Sequence, residues 1–523
     1  MEIILILIIM TILFYGLHKI TSYAFWVNST LCLAIVVIGV DHDYWSLEIM
    51  VLTIFCPLMF FNILMLVFIK DKMDALSGDN RYTVRFNLEK GKFKINNLKR
   101  GISIIGSAGS GKTESVIYNI LLHLAKEGFC GIIHDYKDHE ISEMAYPLLA
   151  AKKVRFYPIS FDQVSYRVNP IAPRYLKNEA SVNEVGRVLI ENLLEQKESG
   201  SVGSSKFFSD AAEGLICGLI WRLKTDYPDF CTLPHLIATY QTLDTGSLIA
   251  FLSADHTSRA MADAFISGKE SERQTAGVKS TLANALKKIS TRSIFMALSA
   301  DEVPLNISFQ KEPTVISVIN NPQYDNSFSP VIATIIHTTV KQMSIKNGRH
   351  SFILMEEAPT IRLLNMHRIP ATLRSYDIAT IYVMQDKIQN DLLYGDKASR
   401  AILSNLSYQF FGKANDPDTA KYYERFFEIV KNETTSINRG YNLNFDTRVT
   451  TGEREVSKRR ADVFFRLKQG EFIAFADGKD RKLKFKLNKI KRGLPNSLKY
   501  YSEEEMNLNY QSIYEEIAAL FEV

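Results

Sequence analysis

The chain has 523 residues, with 62 Lys and Arg against 57 Asp and Glu, 46% apolar residues and five cysteines. At about 100–200 residues per domain it has room for several domains with sizeable cores, which excludes disorder, a collagen repeat and a small disulfide scaffold. The net charge of +5 is an average over unlike parts: the first 70 residues hold Lys19 and Lys70 against Glu2, Asp41, Asp43 and Glu48, and the rest is net +7.

Three apolar stretches open the chain, Ile3 to Leu17, Tyr23 to Val40 and Ile49 to Ile69. The third reaches the roughly 20 residues of a spanning helix; the first is short, and the second carries Asn28, Ser29 and Thr30. A signal peptide fits the first poorly, because Glu2 stands where a basic region belongs. Lys19, Lys70 and Lys72 flank the first and third stretches, while Asp41 and Asp43 follow the second. Basic flanks prefer the inner side, so two or three spans alike leave the large remainder cytoplasmic. The cysteines Cys32, Cys56, Cys130, Cys217 and Cys231 are scattered and read as small buried hydrophobes of a reducing compartment.

The sharpest local signal follows. Gly106-Ser107-Ala108-Gly109-Ser110-Gly111-Lys112-Thr113 is a full phosphate-loop pattern, GxxxxGK[ST], flanked by an apolar strand at Ile102, Ile104 and Ile105 and by helical spacing from Val116 to Leu124. The glycines let backbone N–H groups turn around phosphate oxygens at a helix N-terminus. In that arrangement Lys112 reaches the β- and γ-phosphates of ATP and Thr113 ligates Mg2+. Further apolar runs at Cys130 to His134, Val154 to Tyr157, Thr314 to Ile319, Ser351 to Met355, Ile378 to Met384 and Tyr408 to Phe411 lack alternation, as strands covered on both faces should. The fold class is therefore α/β with a largely parallel sheet. Glu356 and Glu357 end one such run, where parallel sheets place ligands. Glu356 is read as the holder of the Mg2+ water shell and Glu357 as the group that orients or deprotonates the attacking water.

Between Glu179 and Leu298 helical patterns replace strands, which predicts an all-α insertion broken by a flexible Gly200 to Ser205. From Glu433 to Asp462 a polar, net basic stretch (Arg439, Arg448, Arg454, Lys458, Arg459, Arg460) predicts a mobile loop lining a substrate path. Arg481 to Leu487 alternates, with Lys482, Lys484 and Lys486 on one face and Leu483, Phe485 and Leu487 on the other. It is either a basic strip for DNA or lipid, or a solvated strand face. The end of the chain is acidic. Ser502 with Glu505 makes a capping box, and Ile513, Ile517, Leu520 and Phe521 make an apolar stripe, read slightly in favour of a tail offered to a partner rather than docked on its own domain.

In their order these parts resemble the coupling-protein ATPases of type IV secretion and conjugation (TraG/TraD-like). The resemblance takes in the membrane stretches, the phosphate loop, Ile132-Ile-His-Asp135-Tyr-Lys137, Val168-Asn169-Pro170, Phe207 to Ala212, Leu354-Met-Glu356-Glu357, Gln385, Asn415 to Ala420 and Gly470 to Ala474. It implies a RecA-like P-loop NTPase, hexameric, hydrolysing ATP with Mg2+ beneath a bacterial inner membrane. Its partners would be relaxase-bound single-stranded DNA or secreted proteins and the components of a secretion channel. It assigns Gln385 to sensing the γ-phosphate and Arg374 to an arginine finger reaching the neighbouring subunit. The implied division is a membrane anchor over 1–72, nucleotide-binding parts over 73–178 and 299–493 around an insertion over 179–298, and a tail over 494–523. One departure stands out: Glu356 replaces the family's usual Asp, and a carboxylate displaced by about one C–C bond implies slower hydrolysis. A septal DNA translocase, or a receptor platform that binds ATP without hydrolysing it, are the competing readings.

Overall fold

Seven apolar runs assemble into one sheet because their residues are buried on both faces. The computed structural model describes residues 2–20, 24–41, 46–65, 80–194, 204–268, 271–439, 447–486 and 488–522. The chain divides into two compact units, Met1–Thr83 and Val84–Val523. The expected boundary near residue 72 lies outside the described residues, as do Gly200 to Gly203.

In the first unit, helices span Glu2–Ile20, Ala24–Asp41 and Leu47–Met65. The last is long and apolar enough to cross a membrane; the apolar parts of the others, Leu7–Leu17 and Phe25–Ile38, are shorter. Phe14, Cys32, Val36, Met50, Ile54 and Leu58 pack together. Within this apolar pack the Asn28 amide donates to Asn62 Oδ1 at 3.1 Å, and Asn62 donates to the Phe25 carbonyl at 3.1 Å. Amides buried among apolar helices need such partners, so the pair ties the second and third helices in one register.

In the second unit, β1 (Val84–Phe86) and β2 (Phe93–Ile95) form a small antiparallel hairpin. The central sheet contains β3 (Ile102–Ile105), β4 (Cys130–Asp135), β5 (Arg155–Ile159), β6 (Thr314–Ile319), β7 (Ser351–Met355), β8 (Ile378–Met384) and β9 (Tyr408–Phe411), all parallel. β10 (Ile429–Arg439) and β11 (Thr447–Ser457) stand apart as a two-stranded sheet. β12 (Glu471–Ala476) and β13 (Lys479–Lys484) extend the central sheet antiparallel at one edge. Its order among the described residues is β13-β12-β9-β3-β8-β7-β4-β6-β5. Helices Tyr118–Lys126, Glu140–Ala150 and Asp325–Met343 make the crossovers parallel strands require. β8 therefore lies between the phosphate-loop strand β3 and the strand β7 that ends at Glu356.

From Glu179 to Leu298 the described residues form helices, beginning with Glu179–Leu193, whose N-terminus is fastened by a capping box of Asn178 and Ser181. Their apolar faces share one core with the sheet.

Two expectations change, and one open choice is narrowed. The stretch from Glu433 is not a loop: β10 and β11 pair over eleven registered positions. Threonine, valine and isoleucine carry strand propensity even where a stretch has few apolar positions to mark it. The acidic C-terminal helix, Glu503–Phe521, is docked rather than offered. Ile513 and Ile517 are buried, Tyr510 lies 4.7 Å from Phe295 between ring centroids, and His235 Nε2 is 3.0 Å from Glu516. Of the two readings of the alternating strip the strand face fits better: Lys482 pairs with Glu471 at 3.1 Å and Lys484 with Glu89 at 2.8 Å, while Leu483 and Phe485 are buried as the alternation predicts. Lysines on the outermost strand keep such an edge from pairing with another sheet.

Candidate nucleotide site

β3 ends at Ile105, and the chain turns at once through the glycine loop into the helix beyond Thr113. Gly109 (φ +73°) and Gly111 (φ +85°) hold the left-handed backbone that this turn needs, and a Cβ at Gly111 would meet the Gly470 nitrogen at 2.9 Å. The loop is braced from outside: Gly470 N–H donates to the Ser110 carbonyl at 3.0 Å and Ser107 N–H to the Lys413 carbonyl at 2.8 Å. Ser107 and Ser110 hydroxyls are buried without a hydrogen-bond partner among the described residues. Orphaned donors of this kind inside a loop call for acceptor oxygens, and phosphate supplies them. The Lys112 ammonium folds back to the Gly106 carbonyl at 2.6 Å. Burial holds it below its usual pKa, against the upward pull of Glu357.

Two strands away, β7 delivers Glu356 and Glu357 to the same end of the sheet. Glu357 has a left-handed backbone (φ +43°), so the chain turns sharply there. Its Oε1 accepts from the Gln385 amide, at the end of β8, at 3.1 Å. Glu356 Oε2 accepts from the Tyr136 N–H at 3.2 Å. Burial, and then the neighbouring Asp135, push the Glu356 carboxyl up to about 8. Asp135 is itself fully buried, held by the Ser142 N–H at 2.7 Å and by its hydroxyl at 2.6 Å.

Lys137, two residues beyond β4, lies 3.3 Å from Glu356 Oε1 and 3.3 Å from Glu357 Oε1. Burial alone would lower its pKa, but these carboxylates and Glu140 outweigh that and hold it above the usual value. Sequence reasoning passed over this contact. The stretch containing Lys137 was visible, but its partners are some 220 positions away.

The structure thus gathers Glu356, Glu357 and Gln385 into one hydrogen-bonded group and puts the phosphate loop, with Lys112 and Thr113, on a nearby strand end. It does not bring Arg374 there. That residue is exposed on the turn Arg374–Tyr376 before β8, and Gln385 follows the other end of the strand. At about 3.3 Å per residue, a seven-residue strand separates the two by about 20 Å or more. Among the described residues no three His, Cys, Asp or Glu side chains converge as a metal cage. The donors that are present, a threonine hydroxyl and a carboxylate, are the hard oxygens that suit Mg2+, an ion that keeps several waters and shares phosphate oxygens.

A parallel sheet with a phosphate loop after β3, acids after β7 and a polar side chain on the strand between them defines a P-loop nucleotide-binding domain. Residues 67–463 match the family described as type IV secretory system conjugative DNA transfer. The chain belongs to that family, the type IV coupling proteins. No curated protein matches it in sequence. Among solved structures it is similar to the bacterial conjugative coupling protein TrwBdeltaN70 in its unbound form, with a TM-score of 0.61 and 11% identity over 78% of this chain and 90% of that one. It is also similar to TrwB in complex with ADP and Mg2+, at TM-score 0.58 and 13% identity over 76% and 87%. VirB4 of Thermoanaerobacter pseudethanolicus aligns at TM-score 0.50 and 12% identity, over 78% and 97%. At such identities the likeness is one of fold.

Proposed function

We propose that this chain is a membrane-anchored ATPase that recruits relaxase-bound single-stranded DNA or protein substrates and couples them to a type IV secretion channel. The observation that carries the reading is the Gln385–Glu357 contact beside the phosphate loop, within a chain of the conjugative DNA transfer family. In this reading Lys112 leaves the Gly106 carbonyl for the phosphates. The unpartnered Ser107 and Ser110 hydroxyls and the loop N–H groups orient them. Thr113 and Glu356 hold Mg2+, which when bound neutralises charge on the β- and γ-phosphates. Glu357 takes the proton of the attacking water, and Gln385 keeps its carboxylate aimed. Arg374, too far from its own site to serve it, completes the site of the next subunit in a hexamer at the inner membrane. Leu47–Met65, with one or both preceding helices, is the anchor.

The test is ATP turnover by the full chain in detergent micelles, with and without single-stranded DNA, compared with Lys112→Ala. The expected result is a wild-type rate that DNA raises, and a variant slower by about 100-fold or more. Glu356 in the place of an aspartate supports a second reading, a platform that binds ATP without turning it over. Equal rates in wild type and variant would favour it.

A further inference from the structure

The hydrolytic reading leaves Lys137 without a task, yet its ammonium sits 3.3 Å from one oxygen of each of the two adjacent acids. Both carboxylates are buried, with side chains 1% and 3% exposed, whereas Lys137 is 39% exposed. Two neighbouring acids shut away from water can be ionised together only with a cation between them, because their repulsion is little screened there. In this structure that cation is Lys137.

We propose that Lys137 is a positioning residue that stands in for the metal. Its ammonium bridges Glu356 and Glu357 in the nucleotide-free chain and gives up Glu356 Oε1 when Mg2+ enters with nucleotide. The proposal rests on the reading of Glu356 as a magnesium ligand. Three features make the exchange workable. The other oxygen of Glu356 stays on the Tyr136 N–H at 3.2 Å, so the carboxylate keeps its aim when the ammonium leaves. Glu357 likewise stays on Gln385 at 3.1 Å. Glu140 Oε2, itself partly exposed, lies 4.0 Å from the same ammonium, which gives the displaced lysine an acid to move towards. Lysine and metal then compete for one oxygen, and the lysine raises the Mg2+ concentration that nucleotide binding requires.

The experiment is a Mg2+ titration of N-methylanthraniloyl-ADP binding, read by fluorescence, on the full chain in detergent micelles. Lys137→Met, which keeps the side chain's length and removes its charge, should lower the half-saturating Mg2+ by about threefold or more, the scale of one partly exposed ion pair. Lys137→Gln, which retains a hydrogen-bond donor, should do the same if the methionine variant folds poorly by thermal unfolding. Lys137→Arg should stay near wild type. An unchanged or raised midpoint in the uncharged variants would overturn the proposal, and so would an arginine variant shifted as far as they are. The readout is binding, so a chain that binds nucleotide without turning it over removes the ATPase reading and still decides this one.

Discussion

Glu357 Oε1 is held by both the Gln385 amide and the Lys137 ammonium, on a backbone turn that few side chains favour. Removing the amide frees the Glu357 side chain to drift, which in the proposed reaction takes it away from the attacking water. Gln385→Ala should therefore lower kcat by about 10- to 100-fold with KM for ATP little changed, in steady-state turnover. A second residue-scale expectation concerns His337, on the helix Asp325–Met343. Burial, and then Lys341, hold its imidazole down at about 3, with Glu184 3.8 Å away. The unfolded chain takes up that proton near pH 6.5, so the histidine's contribution is complete above pH 6.5 and is lost as pH falls towards 3. By pH 4 the loss should be about 3 kcal/mol. Thermal unfolding of His337→Gln should fall less steeply between pH 6.5 and 4 than wild type. The phosphate loop and the paired acids were legible as residues because each is a continuous word in the chain. Lys137 was legible as a motif and not as a contact, since only strand pairing of β4 with β7 brings it to Glu356.

Elements repeat that division between local and distant information. The buried parallel strands could be read because each is a short apolar run, and the first crossover helix because Val116 to Leu124 keep a helical stripe. What could not be read was which surface an element meets. The capping box of Ser502 and Glu505 and the stripe of Ile513 and Ile517 predicted the last helix correctly. Its seat is written in Phe295, His235 and the helix Leu233–Thr242, more than 200 positions earlier. Ile517→Ala should cost about 2–5 kcal/mol where the helix packs, seen as early proteolytic release of the C-terminus. Likewise, the alternating lysines alone could not choose between a basic strip and a solvated strand face, and Glu471 and Glu89 beside Lys482 and Lys484 favour the second. Basic residues after β11 are paired as well: Lys458 and Arg459 both reach Asp480, at 2.6 and 2.9 Å.

At the scale of the whole molecule, the proposed assembly makes a prediction that no single chain can meet. If Arg374 serves a neighbour, Arg374→Ala and Lys112→Ala chains are each inactive alone, but a mixed ring contains sites with an intact loop from one and an arginine from the other. Equal mixing should recover about a quarter of wild-type turnover if sites act independently. No recovery would rule out service to a neighbour, and an Arg374→Ala chain as active alone as wild type would place Arg374 outside the reaction. The position of that arginine also gives β8 a second meaning. The strand is buried along its whole length, carries Gln385 at one end and starts just after the Arg374 turn at the other. A packed strand neither stretches nor bends cheaply. If the chain assembles as proposed, with Arg374 serving the next subunit, β8 would work as a push-rod: a shift of the Gln385 amide in one site would carry along the strand to the guanidinium at the next, and firing order would follow from one strand's stiffness.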